Sequence, residues 1–167
     1  WVNEKAGEER IVYHAGAVGV IYKLKEDDQD FFTGHDDDIV CLDFHKGSGL
    51  VASGSIGAGR TVRLCIWESW GELKQRQCIT GFQQYAVVAV AFNPDASMVA
   101  SVGMDEHHSV ALHSVETGML LAHLACDKNR VVSTIFNTGA DVDSCANFIT
   151  VGVKHICFWG PMDTAVK

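Results

Sequence analysis

Positive charge is scarce in this chain. It has 13 Lys and Arg against 21 Asp and Glu over 167 residues, a net charge of −8. Neutralising a phosphate backbone takes clustered basic side chains, and here they are scattered, so nucleic acid is not expected as a partner. The same acidity argues against loose attraction to anionic lipid. Long hydrophobic runs are missing too. The longest, such as Ala86–Phe92, reach only strand length, whereas a membrane helix needs about 20 apolar residues in a row, so no membrane partner is expected. No basic start followed by an apolar block marks a secretory leader. The chain does not open with Met, and it is expected to continue beyond both ends. Proline occurs only as Pro94 and Pro161, both in turn-like settings. There is no N-x-S/T sequon and no C-x-x-C pair. The cysteines are Cys41, Cys65, Cys78, Cys126, Cys145 and Cys157, mostly within apolar strand-like runs. They are expected to be small buried hydrophobes of a reducing compartment.

What is present is a repeat. Hydrophobic residues make up 47% of the chain, enough to bury a sizeable core, and they recur in register. Ile39–His45 (IVCLDFH) aligns with Val87–Asn93 (VVAVAFN) and Val131–Asn137 (VVSTIFN). Phe44, Phe92 and Phe136 share one column, spaced 48 and 44 residues apart. A second strand repeats as Leu50–Gly54, Met98–Val102 and Phe148–Gly152. A third runs Val62–Trp67, Val110–His113 and Ile156–Trp159, with its last positions 46 residues apart each time. A period in the mid-forties carrying about four short strands is the signature of a propeller blade. Val, Ile, Phe and Trp fill the segments, and Gly, Asn and Asp punctuate them.

The expected fold is therefore all-β: a partial propeller of about three to four blades, each an antiparallel sheet of four strands. Residues 1–33 hold an incomplete first blade, with Ile11–Tyr22 and Asp30–Thr33 as its outer strands. Blades follow over 34–80 and 81–125, a three-stranded one over 126–160, and the start of a further segment over 161–167.

Gly34-His35 stands 32 residues before Trp67, close to the Gly-His to Trp-Asp span of WD repeats. The physical basis of those markers is a buried polar relay. The opening-turn His, a Ser or Thr on the second strand, an Asp in the next turn and the Trp indole N–H satisfy one another, and such groups are costly to bury unpaired. The second blade has His35, Ser53 and Trp67. The third has Ser101 and Asp105, with His113 in the Trp column and Gly81-Phe82 where Gly-His would stand. The fourth has Thr150 and Trp159, with Lys154 in the Asp column. These residues are expected to stabilise the blades rather than to catalyse.

Tests for chemistry come back empty. There is no phosphate loop, and Gly57-Ala58-Gly59 opens no helix. No G-x-S-x-G elbow occurs. Asp36, Asp37 and Asp38 lack the spacing and the later Glu of a calcium loop and suit a solvated turn. His107 and His108 have no third ligand at fixed spacing. Asp141, Asp143 and Cys145 look like a loop insertion between strands. No nucleophile, base and orienter converge. The expectation is a non-enzyme with no cofactor and no metal.

Four stretches carry a family resemblance. Gly7–Tyr22 (GEERIVYHAGAVGVIY) resembles the segment after the hydrophobic motif that opens the propellers of EMAP-like (echinoderm microtubule-associated-protein-like) proteins. Gly34–Ile39 (GHDDDI) is similar to that family's first Gly-His turn, where an acidic run precedes the apolar strand. Ser101–Ser109 (SVGMDEHHS) is similar to the long turn of the intervening repeat. Val151–Trp159 (VGVKHICFW), the most specific of the four, resembles its third-repeat ending. Order and spacing match over nearly the whole chain. The departures are His113 in the Trp column, little of the opening motif in Trp1–Ala6, and inserted residues between Val142 and Ala146.

The resemblance implies the N-terminal propeller of a tandem pair in a microtubule-associated scaffold. Its implied partners are tubulin, microtubules and other axonemal or cytoskeletal proteins. Its implied setting is the cytoplasm and cytoskeleton, with the axoneme of a cilium or flagellum as a further one. Tubulin is itself acidic, so contact requires local complementarity rather than bulk attraction. The candidate surface is the face made by opening turns and second-to-third-strand turns: Asp36, Asp37, Asp38, Arg60, Glu106, His107, His108, Lys154 and His155. The alternative is a general WD-repeat adaptor that recruits peptides to a signalling or degradation complex.

Overall fold

The computed structural model describes residues 2–5, 8–58, 61–139 and 148–160. Every regular element among them is a strand. Among the described residues fifteen strands form four antiparallel sheets. The first contains β1 (Val2–Lys5), β2 (Glu8–Ala15), β3 (Val18–Lys23) and β4 (Asp28–Phe32). The second contains β5 (Ile39–His45), β6 (Leu50–Ser55), β7 (Arg63–Glu68) and β8 (Gln75–Thr80). The third contains β9 (Val87–Phe92), β10 (Met98–Gly103), β11 (Val110–Ser114) and β12 (Leu120–Leu124). The fourth contains β13 (Val131–Phe136), β14 (Phe148–Gly152) and β15 (His155–Trp159). In each sheet the strands follow in chain order, a meander. Strand β5 lies beside β9, and β9 beside β13, so the leading strands of successive sheets neighbour one another. This is a partial WD-repeat propeller.

Burial explains why these segments are strands. In the second and third sheets the middle strands are covered on both faces, and β6, β7, β10 and β11 are buried almost throughout. That is why they read as mainly apolar runs with small or hydrogen-bonded polar residues among them, rather than as alternations. The outermost β8 and β12 are largely exposed and more polar or mixed. Three apolar clusters fill the gaps between sheets. One joins the first and second sheets through Val12, Ile21, Phe32, Phe44, Val51 and Trp67. Another joins the second and third through Leu64, Ile66, Val87, Val90 and Val99. The last joins the third and fourth through Ala100, Val102, Leu112, Phe136 and Phe148.

Phe44, Phe92 and Phe136 occupy equivalent places. Each lies at or next to the end of the first strand of its sheet, is buried, and lies opposite the second strand: Phe44 to Val51, Phe92 to Val99, Phe136 to Phe148. Asp43 ties two leading strands together. Its Oδ2 accepts the Phe92 backbone N–H at 2.8 Å, and its Oδ1 accepts that of Phe44 at 2.9 Å.

Ahead of Thr33 the structure differs from the sequence expectation. Four strands pair there rather than an incomplete set, and the Ile11–Tyr22 stretch is split by a turn at Gly16, whose φ is +55°. The added strand is short and polar (VNEK), so its composition gives no strand signal. It is held by backbone pairing from Val2↔Ile11 to Lys5↔Glu8.

Candidate functional site

The opening turn of each later sheet brings a polar side chain beneath the second strand. In the second sheet His35 Nε2 lies 2.7 Å from Ser53 Oγ, and the Trp67 indole N–H donates to the same oxygen at 3.0 Å. All three residues are buried. Burial holds the His35 imidazole pKa down to about 4, and the nearby Arg63 charge adds to the effect. A neutral ring in that place can both donate and accept. Arg63 donates to the Gly34 carbonyl at 2.8 Å and to Asp36 Oδ2 at 2.9 Å. Cys65 lies beside the ring, its Sγ 4.0 Å from His35 Nδ1.

The third sheet fills the same place with a carboxamide. Gln83 Nε2 donates to Ser101 Oγ at 3.2 Å. Gln83 precedes Ser101 by 18 residues, the separation of His35 from Ser53. The Gly-His alignment of the sequence predicts Phe82 at this position. Phe82 instead sets its ring edge against His113 and His123, with centroids 5.8 and 5.0 Å away. His113 holds the Trp column, opposite Val99, and burial pushes its imidazole pKa down. Asp105 stays within its own turn, accepting the Ser109 and His107 backbone N–H groups and the Ser109 hydroxyl. Burial opposes its ionisation, but those bonds outweigh it and hold the carboxyl below the usual range.

In the fourth sheet the Trp159 indole N–H donates to Thr150 Oγ1 at 3.0 Å, and Cys126 Sγ lies 3.2 Å from that oxygen. Cys126 thus stands where His35 stands in the second sheet. The cysteines are accordingly less uniform than their sequence setting suggests. Cys65 is buried, Cys41, Cys126 and Cys157 are half-buried, and Cys78 is exposed at the outer strand. Cys145 lies outside the described residues.

The candidate partner-binding turns gather at one end of the sheets. Strand pairing ends there at Ile39↔Ser55, Val87↔Gly103 and Val131↔Gly152. Backbone bonds stitch neighbouring turns together: Ile39 N–H to Gly16 O at 2.9 Å, Gly57 N–H to Tyr85 O at 2.7 Å, and Cys126 N–H to His107 O at 3.0 Å. The result is a continuous rim. Asp38, Glu106, His107 and Lys154 are exposed on it. Asp36 is ion-paired to Arg63, and Asp37 accepts the Asp38 backbone N–H. His108 turns inward and bonds the Asp127 carbonyl through Nδ1 at 3.0 Å. His155 is not a loop residue. It begins β15, its side chain is 10% exposed, and its Nδ1 lies 3.2 Å from the Val153 carbonyl. Arg60 lies outside the described residues. A depression lined by Phe82, Gln84, Asp105, Glu106, His107 and His123 opens on the same rim.

Comparison with known proteins agrees with this architecture. The family described as WD domain, G-beta repeat matches residues 27–65 and 74–110. The chain is similar to human echinoderm microtubule-associated protein-like 2, at 28% identity over 89% of this chain and 24% of that protein. Rat echinoderm microtubule-associated protein-like 1 is 26% identical over 89% of this chain and 19% of its own length. The 77 kDa echinoderm microtubule-associated protein of Strongylocentrotus purpuratus is 26% identical over 89% and 22%. The chain therefore spans less than a quarter of the length of these curated relatives. No helix among the described residues is long and apolar enough to cross a membrane.

Proposed function

Because this chain carries WD repeats and is similar along 89% of its length to proteins named for their association with microtubules, we propose that it is the propeller portion of a non-catalytic, microtubule-associated scaffold. Each of the four sheets is read as one blade, over 1–33, 34–80, 81–125 and 126–160. The relay residues His35, Ser53, Trp67, Ser101, Asp105, Thr150 and Trp159 are read as the groups that hold those blades in shape.

The observation that carries this reading is the similarity itself, and the rim gives it a surface. An acidic chain meeting acidic tubulin needs local positive charge. Lys128, Arg130 and Lys154 are exposed where the fourth sheet reaches the rim, apart from the acidic 36–38 turn. The proposed contact runs through that basic stretch, with His107 beside it. Tubulin and axonemal proteins are the proposed partners. Cytoplasm and cytoskeleton, including a ciliary axoneme, are the proposed setting.

Co-sedimentation of the full-length protein with stabilised microtubules tests this. The folded protein should pellet with polymer, and reversing the charge of Lys128, Arg130 and Lys154 together should weaken pelleting at least tenfold. Folded protein that stays in the supernatant at every tubulin concentration would overturn the proposal.

A further inference from the structure

The fourth sheet differs from the second at two places that matter chemically. Aligned by strand pairing, Thr150↔Cys157 repeats Ser53↔Cys65, and Gly152↔His155 falls where Ser55 and Arg63 face each other. Cys126 and Asp127 repeat His35 and Asp36. At these equivalent positions the second sheet therefore holds one thiol (Cys65), one imidazole (His35) and a guanidinium (Arg63). The fourth holds two thiols and an imidazole, and the guanidinium that would repel a cation is gone.

These groups converge. Cys126 Sγ and Cys157 Sγ lie 3.9 Å apart. Two thiolates bound to one tetrahedral zinc, each at about 2.3 Å, are separated by about 3.8 Å. One ligand atom from each of Cys126, Cys157 and His155 lies within 4.8 Å of the other two. The His155 side chain is nine-tenths buried, and its Nε2 has no hydrogen-bond partner among the described residues. Its Nδ1 lies 3.2 Å from the Val153 carbonyl and 3.7 Å from Asp127 Oδ1. An Nδ1–H donated to that carbonyl leaves Nε2 with a bare lone pair, the tautomer that metal-bound imidazoles adopt, with carbonyl and carboxylate as supports behind the ring. A buried acceptor without a donor is costly, and a cation removes that cost.

We propose that Cys126, Cys157 and His155 form a binding site for a zinc-class divalent ion, with Asp127 orienting the imidazole and water as the fourth ligand. Thiolate with imidazole selects zinc or a similarly soft ion over magnesium or calcium. Binding releases the two thiol protons to solvent. The site clamps the opening turn of the fourth sheet to its third strand, where the second sheet uses hydrogen bonds and the Arg63–Asp36 ion pair. It does not rest on the microtubule reading.

Cobalt titration of the reduced full-length protein tests it. Bound Co²⁺ should show thiolate charge-transfer absorption in the near ultraviolet and tetrahedral bands in the visible, both abolished by added Zn²⁺. Three variants borrow residues that the other sheets already carry at the same positions, so each is compatible with the fold: Cys126→Gln, Cys157→Ala and His155→Arg. Each should weaken cobalt binding at least tenfold while the circular dichroism of the metal-free protein is kept. Absence of the bands in folded, fully reduced protein, or bands unchanged in all three variants, would overturn the proposal.

Discussion

Trp67 stacks flat on Phe32, ring centroids 4.6 Å apart and planes within 6°. The two residues belong to different sheets, β7 and β4, so this stack fastens the second sheet to the first, while the indole bond to Ser53 fixes the ring within the second sheet. Trp67→Ala should cost about 3–5 kcal/mol through the cavity it leaves. Trp67→Phe should cost less, because it keeps an aromatic ring against Phe32 and gives up the N–H and only part of the buried ring volume. Urea denaturation of both variants measures the difference. A loss under about 1 kcal/mol for the alanine variant would remove Trp67 from the core.

Gly19 lies against the same indole. A Cβ built there would meet Trp67 Cζ2 at 2.7 Å and Cη2 at 3.0 Å. A rigid ring cannot yield as a flexible chain would, so Gly19→Ala should destabilise by about 1–3 kcal/mol. In the Trp67→Ala background the same change should cost little, since the obstructing ring is gone. A double-mutant cycle reads that coupling.

Acid should loosen the second sheet through His35. Its folded pKa is depressed to about 4 from an ordinary 6.5. Between those values the unfolded chain binds the proton and the folded one does not, so stability falls as pH drops from 6.5 to 4 and is flat on either side. The loss attributable to this residue is on the order of 3 kcal/mol. His35→Gln, which borrows the carboxamide of the third sheet, should remove that part of the slope. Denaturation midpoints across pH 4 to 7 for the two proteins decide it, and equal slopes would count against the assignment.

Gln83 is the polar partner of the buried Ser101 hydroxyl. Gln83→Leu should cost about 1–3 kcal/mol by leaving that hydroxyl unpaired. Gln83→His should cost less, since an imidazole does this work one sheet earlier. Thermal unfolding of the pair tests the order, and an equal loss from both would show that packing rather than hydrogen bonding fixes the position.

Much of the fold was legible because it rests on hydrophobic spacing. The Phe44, Phe92 and Phe136 column and the three-strand repeat needed no knowledge of contacts, since β6, β7, β10 and β11 declare themselves by mainly apolar runs that recur at a fixed spacing. What escaped was held by backbone or by position. The strand Val2–Lys5 is defined by pairing with β2 and has no pattern of its own. Gln83 was hidden by its neighbour Phe82, because the Gly-His motif drew attention one residue too early, while counting 18 residues back from Ser101 would have found it. In the Cys126, His155 and Cys157 group only His155 and Cys157 are neighbours in sequence, and the two cysteines are 31 positions apart, so no metal-site spacing shows along the chain. Only superposing the fourth repeat on the second brings it out. His155 follows Lys154 at a turn, a position that predicts a surface residue, yet strand alternation sends it inward with Cys157 and Trp159.

The stitches between neighbouring turns, Gly16 to Ile39, Gly57 to Tyr85 and His107 to Cys126, are made by peptide groups alone. No exchange of side chains deletes them, short of proline at a donor. The outline of that edge is thereby insulated from mutational drift, while the chemistry displayed along it is left free to wander. Imidazole, carboxamide and thiol have each come to occupy the same pocket without altering the hoop that carries them.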